Sequence, residues 1–378
     1  MLEGIYLTVM AGPVAPVPIP KVVLDALTEV SITVAARGAS GFRLSFEIDN
    51  QSPLQTIFLL SGGASIPILR VVIVVTVNGA PEVLMDGVMT DHSISPGTGG
   101  NPAMLTIMGS DLTEVMNYSL FSNPPGTPFP AMPPSARVLA ILGKYAALGI
   151  IPEVIPSVLL DVPLPIDRIP QQQGTDLEYI TQLAEEVGYV FYLKPGPAPL
   201  TSRAYWGPEI KVGQPQPALN ADMDAYTNVE SLSFDYQPTT KKIPVVTIQN
   251  QQTKVPIAIP IPDITPLNPP LGLVPATSYE LEYLPNAAKL SPVRAAAIGL
   301  AKAARYSDVV TGSGTLDVLR YGRILKSRSL VGVRGAGFAF NGLYYVTSVT
   351  HNITRESYKQ NFQLSRNGLV STVSKVPA

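Results

Sequence analysis

Hydrophobic and polar residues alternate along the first third of the chain. The alternation is clearest over residues 30–34 and 42–48, where hydroxyl or charged side chains separate the apolar ones. A period of two predicts β-strands that bury one face. A later apolar run ends at Asn78-Gly79, a sequence typical of a two-residue hairpin turn. Residues 1–122 are therefore predicted to form a β domain.

The pattern becomes helical in the middle of the chain. Thr175 and Glu178 stand three residues apart, which predicts a capping box at a helix N-terminus. The apolar residues of this helix have the spacing of one face: Leu177, Ile180, Leu183, Ala184 and Val187. Gly188 ends the helix, and an aromatic, β-branched strand follows. Together with a proline-rich connector and a helix that Ser135 caps, this unit predicts a mixed α/β module at 123–205.

Alternation returns after Asn228 and continues towards the C-terminus. A proline-rich excursion at 251–277 interrupts it, and so does an alanine-rich helix from Ser291 to about Tyr306. Further strands are predicted at 245–250, 315–319, 329–333, 343–350 and 362–364. The sequence therefore predicts a second β domain at 206–378 and a mainly β (α+β) fold.

Two hairpins in the two β regions resemble each other. Asn78-Gly79 and Asn341-Gly342 each precede a strand that ends near a histidine, His92 in the first region and His351 in the second. Another alternating strand follows each of them. An internal duplication, with the two histidines at matching places, is the simplest explanation. Chance similarity between two hairpins of like composition is the alternative.

The composition favours a protein that buries much of its surface against partners. Hydrophobic residues make up 46% and charged residues 14% of the 378 residues, and the net charge is −2. No global basic field is available to hold nucleic acid or an anionic membrane. The absence of cysteine excludes disulfides, thiolate zinc sites and a cysteine nucleophile. The N-terminus lacks the pattern of a signal peptide, and the apolar run 71–77 is too short for membrane insertion.

The residues that could take part in catalysis or metal binding do not form a recognisable site in the sequence. His92 and His351 could share a metal ion, but no Asp or Glu cluster accompanies them, so both are interpreted as polar strand-end residues. Glu185 and Glu186 could serve glycoside hydrolysis, but adjacent helix residues diverge by about 100°. Gly312-Ser313-Gly314 precedes a predicted strand, whereas a phosphate loop needs a helix there. The prediction is no catalytic residue, no cofactor and no metal.

Two further features have structural interpretations. The chain has one concentration of basic residues: Arg320, Arg323, Lys326, Arg328 and Arg334. It lacks the interleaved aromatic residues on which nucleic-acid bases stack, which favours a solvated strand, a channel lining or a contact with an acidic neighbouring subunit over phosphate binding. Trp206, the only tryptophan, is interpreted as a packing anchor at a domain edge.

The segment GTDLEYITQLAEEVGYVFYLKPG at 174–196 resembles hub proteins of contractile phage tails, of the late-control type, and the N-terminal half of type VI secretion VgrG spikes. In that family a short aspartate-led helix leads into E-E-x-G-aromatic. The family's other parts follow in order: a β domain, a connector, the Ser135 helix, this unit, AYWGP, TNVESLSFDY, a proline-rich excursion, an alanine-rich helix and GLYYVTSVTHNITRESYKQNFQLSRNGL. The resemblance covers most of the chain.

The resemblance implies a fold and a function. It implies two related β-barrel-like tube domains per chain, which trimerise into a pseudo-sixfold ring joining a hexameric tail tube to a trimeric spike. The implied partners are two further copies in a homotrimer, the tube protein, a separate spike or needle protein and other baseplate proteins, after cytoplasmic assembly into a tail-like particle. The expectation is a structural protein and not an enzyme. A tail-associated cell-wall hydrolase, which needs a convergent catalytic set, and a secreted β-rich adhesin are the alternatives.

Overall fold

A computed structural model of the chain describes residues 4–13, 15–48, 68–97, 102–157, 169–249, 256–261, 267–278, 280–284, 292–374 and 376. Strands make up 48% of it and helices 18%. The mainly β class that the alternation predicts is therefore confirmed.

The first β region contains β1 (Ile5–Gly12), β2 (Val17–Pro18), β3 (Leu27–Ala35), β4 (Gly41–Ile48), β5 (Arg70–Val77), β6 (Ala80–Ser95) and β7 (Ala103–Asp111). The middle module contains β8 (Ile150–Val154), β9 (Val190–Pro195) and β10 (Ser202–Gly207). The strands after the module are β11 (Gln216–Asn220), β12 (Val229–Tyr236), β13 (Lys242–Gln249), β14 (Pro256–Pro260), β15 (Gly272–Pro275), β16 (Glu280–Tyr283), β17 (Val310–Asp317), β18 (Leu330–Arg334), β19 (Gly342–Thr354), β20 (Tyr358–Arg366) and β21 (Gly368–Ser371). The helices are α1 (Lys21–Asp25), α2 (Pro134–Gly143), α3 (Asp176–Glu186), α4 (Pro292–Tyr306) and α5 (Val318–Tyr321).

One 13-stranded sheet runs through both β regions. Its order is β12-β17-β20-β19-β3-β4-β7-β6-β5-β1-β2, with β18 beside β19 and β11 beside β18. The predicted turn at Asn78-Gly79 joins β5 to β6, and both turn residues have positive φ, 51° and 80°. Asn and Gly are the residues that adopt this conformation at least cost, so the dipeptide fixes the hairpin.

The two β regions join directly through β3 and β19, which pair antiparallel from Glu29 opposite Thr354 to Ala35 opposite Ser348. One hydrophobic core follows the sheet across this junction. The expectation of two barrel-like domains is corrected here, since no barrel closes within the described residues. The sheet path ends at β12 on one side and at β2 on the other. Pairing between the regions replaces the closure that each region would otherwise need to protect its edges.

The middle module has its own core. β8, β10 and β9 form a three-stranded sheet that shares this core with α2 and α3. Trp206 is fully buried there, and its indole N–H donates to the Ile180 carbonyl at 3.3 Å. Tyr189 packs edge-on against Trp206 with ring centroids 4.9 Å apart. Trp206 is thus a packing anchor, as the sequence indicated.

Helix α3 has the cap that the sequence predicts. The Thr175 hydroxyl accepts from the Glu178 N–H at 3.2 Å, and the Glu178 carboxylate accepts from the Thr175 N–H at 2.9 Å. Leu183 is 1% exposed, as the apolar stripe requires. Gly188 follows the helix with φ of 73°, a conformation that suits glycine after a helix C-terminus.

A buried ion pair attaches the module to the first β region. Arg70 on β5 donates to both Asp86 carboxylate oxygens on β6, each at 2.7 Å. Ser202 on β10 donates to the same carboxylate at 3.4 Å. Both charged side chains are at most 3% exposed, so the pair forms a dry connection between the hairpin and the module sheet.

Several local predictions differ from the structure. The strand predicted at 315–319 ends at Asp317, because the Asp317 carboxylate accepts from the Arg320 N–H at 2.9 Å and caps α5. Helix α2 begins at Pro134 and ends at Gly143, so Ser135 lies in its first turn and does not cap it as predicted. Ser291 lies outside the described residues.

Candidate functional site: a polar sheet face with two open edges

One face of the sheet carries a band of hydroxyl and amide side chains. Opposed residues on neighbouring strands hydrogen-bond across it: Thr33 with Thr350 at 3.0 Å, Ser31 with Asn352 at 3.2 Å, Ser233 with Ser313 at 3.0 Å and Thr315 with Asn361 at 2.9 Å. Such cross-strand pairs stabilise strand register. Because the first two pairs join β3 to β19, the band continues across the junction of the two β regions.

At the junction between β3 and β19, alternate residues of β19 bond to β3 and to β20. On the core face, His351 stands opposite Ile32. The Ala36 N–H donates to the Thr347 carbonyl at 2.7 Å. In an antiparallel pair, alternate residues direct their main-chain groups to the neighbouring strand. Val349 and His351 therefore bond to β3, and the residues between them bond to β20.

The two β regions repeat the same strand series. β3-β4-β7-β6-β5 in the first corresponds to β12-β17-β20-β19-β18 in the second. Each series has a bulge in its first strand, at Thr28 and at Glu230. Each also has a bulge in its fourth strand, at Thr90 and at Thr347. Equivalent hydrogen bonds precede the second bulge, from Met89 N to Leu69 O at 2.9 Å and from Val346 N to Ser329 O at 3.0 Å.

The bulges set a residue-by-residue correspondence that corrects the predicted match of the histidines. Counting from the bulges, His92 corresponds to Val349, and His351 corresponds to Ile94. The two Asn-Gly sequences do not correspond either, because Asn78 lies 11 residues before Met89, whereas Asn341 lies 5 residues before Val346, the equivalent of Met89. The two hairpins are similar in sequence because their compositions are similar. The bulges, in contrast, show which residues of the two strand series are equivalent.

The two histidines have different surroundings. His92 is exposed on β6, whereas His351 is 4% exposed. The His351 Nδ1 lies 2.8 Å from the Tyr358 hydroxyl and 3.4 Å from the Gln360 amide nitrogen. Burial lowers the pKa of His351 to about 4, because the protonated ring is not solvated there. His351 is therefore a neutral hydrogen-bonded core residue.

Two stretches of the sheet have an open edge among the described residues, one on β6 and one on β12. β6 pairs with β5 only as far as Val88, and beyond it residues 90–95 pair with β7 alone among the described residues. β12 pairs with β17, and its other side has no partner strand in the described part of the chain. Ile94 is 42% exposed and Tyr236 is 37% exposed. An open edge is where another chain can add a strand.

The candidate carboxylates and metal ligands named in the sequence analysis do not come together in one site. Glu185 is exposed on α3, and Glu186 accepts a hydrogen bond from Gln182 at 3.2 Å. No group of three or more potential metal ligands occurs in the residues that the structure describes. No helix in that part of the chain is long and apolar enough to cross a bilayer.

The five basic residues do not lie on one strand, so the interpretation as a solvated strand is wrong: Arg320 lies in α5 and Arg334 in β18. Lys326 pairs with Glu82 at 2.8 Å. Arg328 lies 3.8 Å from the centre of the Tyr192 ring and donates to the Ala36 carbonyl at 3.2 Å. Burial lowers the pKa of Arg328, which still donates to main-chain carbonyls at the end of β3. This arginine therefore connects β3, the module and the second β region.

A buried carboxylate at the start of α3 is the other cluster of polar groups. Asp176 accepts from the Tyr145 hydroxyl and from the Gln172 amide, both at 2.7 Å. Lys144 lies 2.6 Å from the same carboxylate. Burial and the carboxylate raise the pKa of Tyr145. These contacts join the start of α3 to the residues that follow α2 and to the connector.

The fold of this chain is similar to solved structures of phage tail proteins and of a type VI secretion protein. The tail protein from Neisseria meningitidis MC58 is 13% identical, with a TM-score of 0.61 over 97% of this chain and 98% of that one. The prophage MuSo2 43 kDa tail protein from Shewanella oneidensis is 13% identical, with a TM-score of 0.59 over 96% and 98%. The E. coli c3393 protein, a component of the type VI secretion system, is 11% identical, with a TM-score of 0.51 over 93% and 76%.

No family model and no curated protein matches this sequence. At these identities the likeness establishes a shared fold. The fold-level resemblance to tail hubs and VgrG-like proteins is thereby confirmed. Sequence reasoning missed the open edges, because the alternation of apolar and polar residues does not show which strands pair.

Proposed function

We propose that this chain is the structural hub of a contractile phage tail or tail-like injection machine. As a homotrimer, it joins a hexameric tail tube to a trimeric spike. The chain assembles in the cytoplasm with the tube protein, a separate spike or needle protein and other baseplate proteins. The tail proteins and the secretion component with the same fold support this proposal.

The repeated strand series is the observation that carries the proposal. Each chain holds two like units, one on either side of the β3–β19 junction. Three chains therefore present six like units to a hexameric tube, while the three chains match a threefold spike. Closed cyclic symmetry is the usual form of a homo-oligomer. The proposed division is a first tube domain at 1–122, the mixed module at 123–205 and a second tube domain at 206–378.

The role that we propose is structural rather than enzymatic. A cell-wall hydrolase would need two carboxylates facing one substrate bond. Glu185 and Glu186 are adjacent on α3 and therefore point to different sides of the helix. His351 is buried in the core of the sheet. Replacing both glutamates by glutamine should leave assembly intact. Loss of a measurable peptidoglycan-cleaving activity in that variant would favour the hydrolase.

Light scattering on the purified protein tests the assembly. The expected mass is three times the 40.2 kDa of the chain. The trimer should then bind the purified tube and spike proteins of its particle at opposite ends, as negative-stain images of the complex would show. A chain that stayed monomeric at micromolar concentration, alone and with its spike, would contradict the hub proposal.

A further inference from the structure

We propose that β6 of one copy pairs edge to edge with β12 of a second copy, in the geometry of the β3–β19 junction. The inference rests on the proposed hub and deepens it by naming the strands that join its copies. β6 corresponds to β19, and β12 corresponds to β3, so the two open edges are the counterparts of the two strands that already pair inside the chain.

The main-chain groups at the two edges are complementary. In the internal junction Val349 and His351 direct their N–H and C=O groups to β3. The matching residues of β6 are His92 and Ile94, whose main-chain groups point away from β7. On β12 the matching edge residues are Phe234 and Tyr236. An antiparallel pair with His92 opposite the partner's Tyr236 satisfies these groups.

The side chains fit the same register. Ile94 then faces the partner's Phe234 on the core side, and the 42% exposed Ile94 gains an apolar neighbour. On the polar side Ser95 faces the partner's Ser233, where the internal junction has Asn352 hydrogen-bonded to Ser31 at 3.2 Å. The band of hydroxyl side chains continues from copy to copy.

Neighbouring registers are less favourable. A slip of one residue turns Ile94 to the polar face, because strand side chains alternate between the two sides. A slip of two residues that sets Ser95 opposite the partner's Ser231 also sets Asp91 directly opposite the partner's Asp235. Like charges directly opposite each other destabilise a strand pair. The proposed register keeps the two aspartates diagonal to each other.

Cysteine cross-linking tests this register, because the chain contains no cysteine of its own. The test variant carries Ser95→Cys and Ser233→Cys, two exposed positions on the polar face. The offset control carries Ser95→Cys and Ser231→Cys. The positive control carries Ser31→Cys and Asn352→Cys, the equivalent pair inside one chain. Mild oxidation is followed by non-reducing electrophoresis, and light scattering reports the oligomer before oxidation.

The test variant should give covalent dimers and trimers at least tenfold more efficiently than the offset control, while the positive control closes within one chain. A trimer by light scattering that fails to cross-link, or that cross-links equally in the offset control, overturns the register and leaves the hub proposal standing. A monomer by light scattering overturns both.

A backbone variant gives an independent readout. Ile94→Pro removes an N–H that bonds to no described strand within the chain, so the fold should persist. Loss of the trimer with an unchanged circular dichroism spectrum is expected, and Ile94→Val should retain the trimer. An Ile94→Pro protein that remains trimeric contradicts the proposed pairing.

Discussion

The burial of His351 makes the stability of this protein depend on pH in a defined window. Desolvation lowers the pKa of its imidazole from 6.5 to about 4 in the folded chain. The unfolded chain binds a proton near pH 6.5, whereas the folded chain does not until about pH 4. The stabilisation is therefore fully present above pH 6.5 and is lost as the pH falls towards 4. Between pH 7.5 and pH 5 the free energy of unfolding should decrease by about 2 kcal/mol from this group.

Urea unfolding at pH 7.5 and pH 5, followed by the fluorescence of Trp206 at fixed protein concentration, measures this loss. The variant His351→Asn keeps a polar group near the Nδ1 position and does not titrate. It should start less stable, because its smaller side chain fills less of the core. Its further loss between the two pH values should be about 2 kcal/mol smaller than that of the wild type. The exposed His92→Gln variant should follow the wild type.

An equal loss of stability in the wild type and in His351→Asn would refute this reasoning. It would mean that the folded protein accommodates the protonated ring beside Tyr358. A direct check is available because the chain has two histidines. In His92→Gln the remaining imidazole signals in an NMR titration belong to His351, and a midpoint near 6.5 would contradict the buried site.

Other substitutions test the module and its attachment, each by urea unfolding. Leu183→Asp should prevent soluble folding, because it places an unpaired charge in the core at a cost of several kcal/mol. Glu186→Ala on the same helix should cost no more than about 0.5 kcal/mol, and the reverse outcome would invert the buried face. Thr175→Ala should cost about 1 kcal/mol by removing the cap. Asp86→Ala should cost about 3–5 kcal/mol by removing the carboxylate that Arg70 binds, and Arg70→Met combined with Asp86→Leu should recover much of that loss.

The features that the sequence predicted correctly depend on neighbours in the chain. The cap of α3 needs Thr175 and Glu178, which are three residues apart. The β5–β6 turn needs two residues that accept positive φ, and Asn78-Gly79 are adjacent. The burial of Leu183 follows from helical spacing alone. Local rules operate within one turn of a helix or one hairpin, so sequence reasoning reaches these features.

The features that it missed depend on residues far apart in the chain. Ser31 and Asn352 hydrogen-bond across the junction, yet 321 positions separate them. Both flanking strands alternate in the same way, and alternation carries no information about which strands pair or in which register. The match of His92 with His351 was wrong for the same reason. Only the bulges, which are features of paired strands, show that Ile94 is the counterpart of His351.

The two kinds of junction in the proposed hub form at different times, and their residues differ accordingly. The β3–β19 junction lies within one chain and forms as the chain folds, so it can bury His351 and Ile32 as core residues. The proposed junction between copies forms only at assembly, and until then its edges face water. Open strands of this kind need charges to prevent premature association. The exposed Asp91 and Asp235, one near each edge, supply them and oppose every register that brings them face to face.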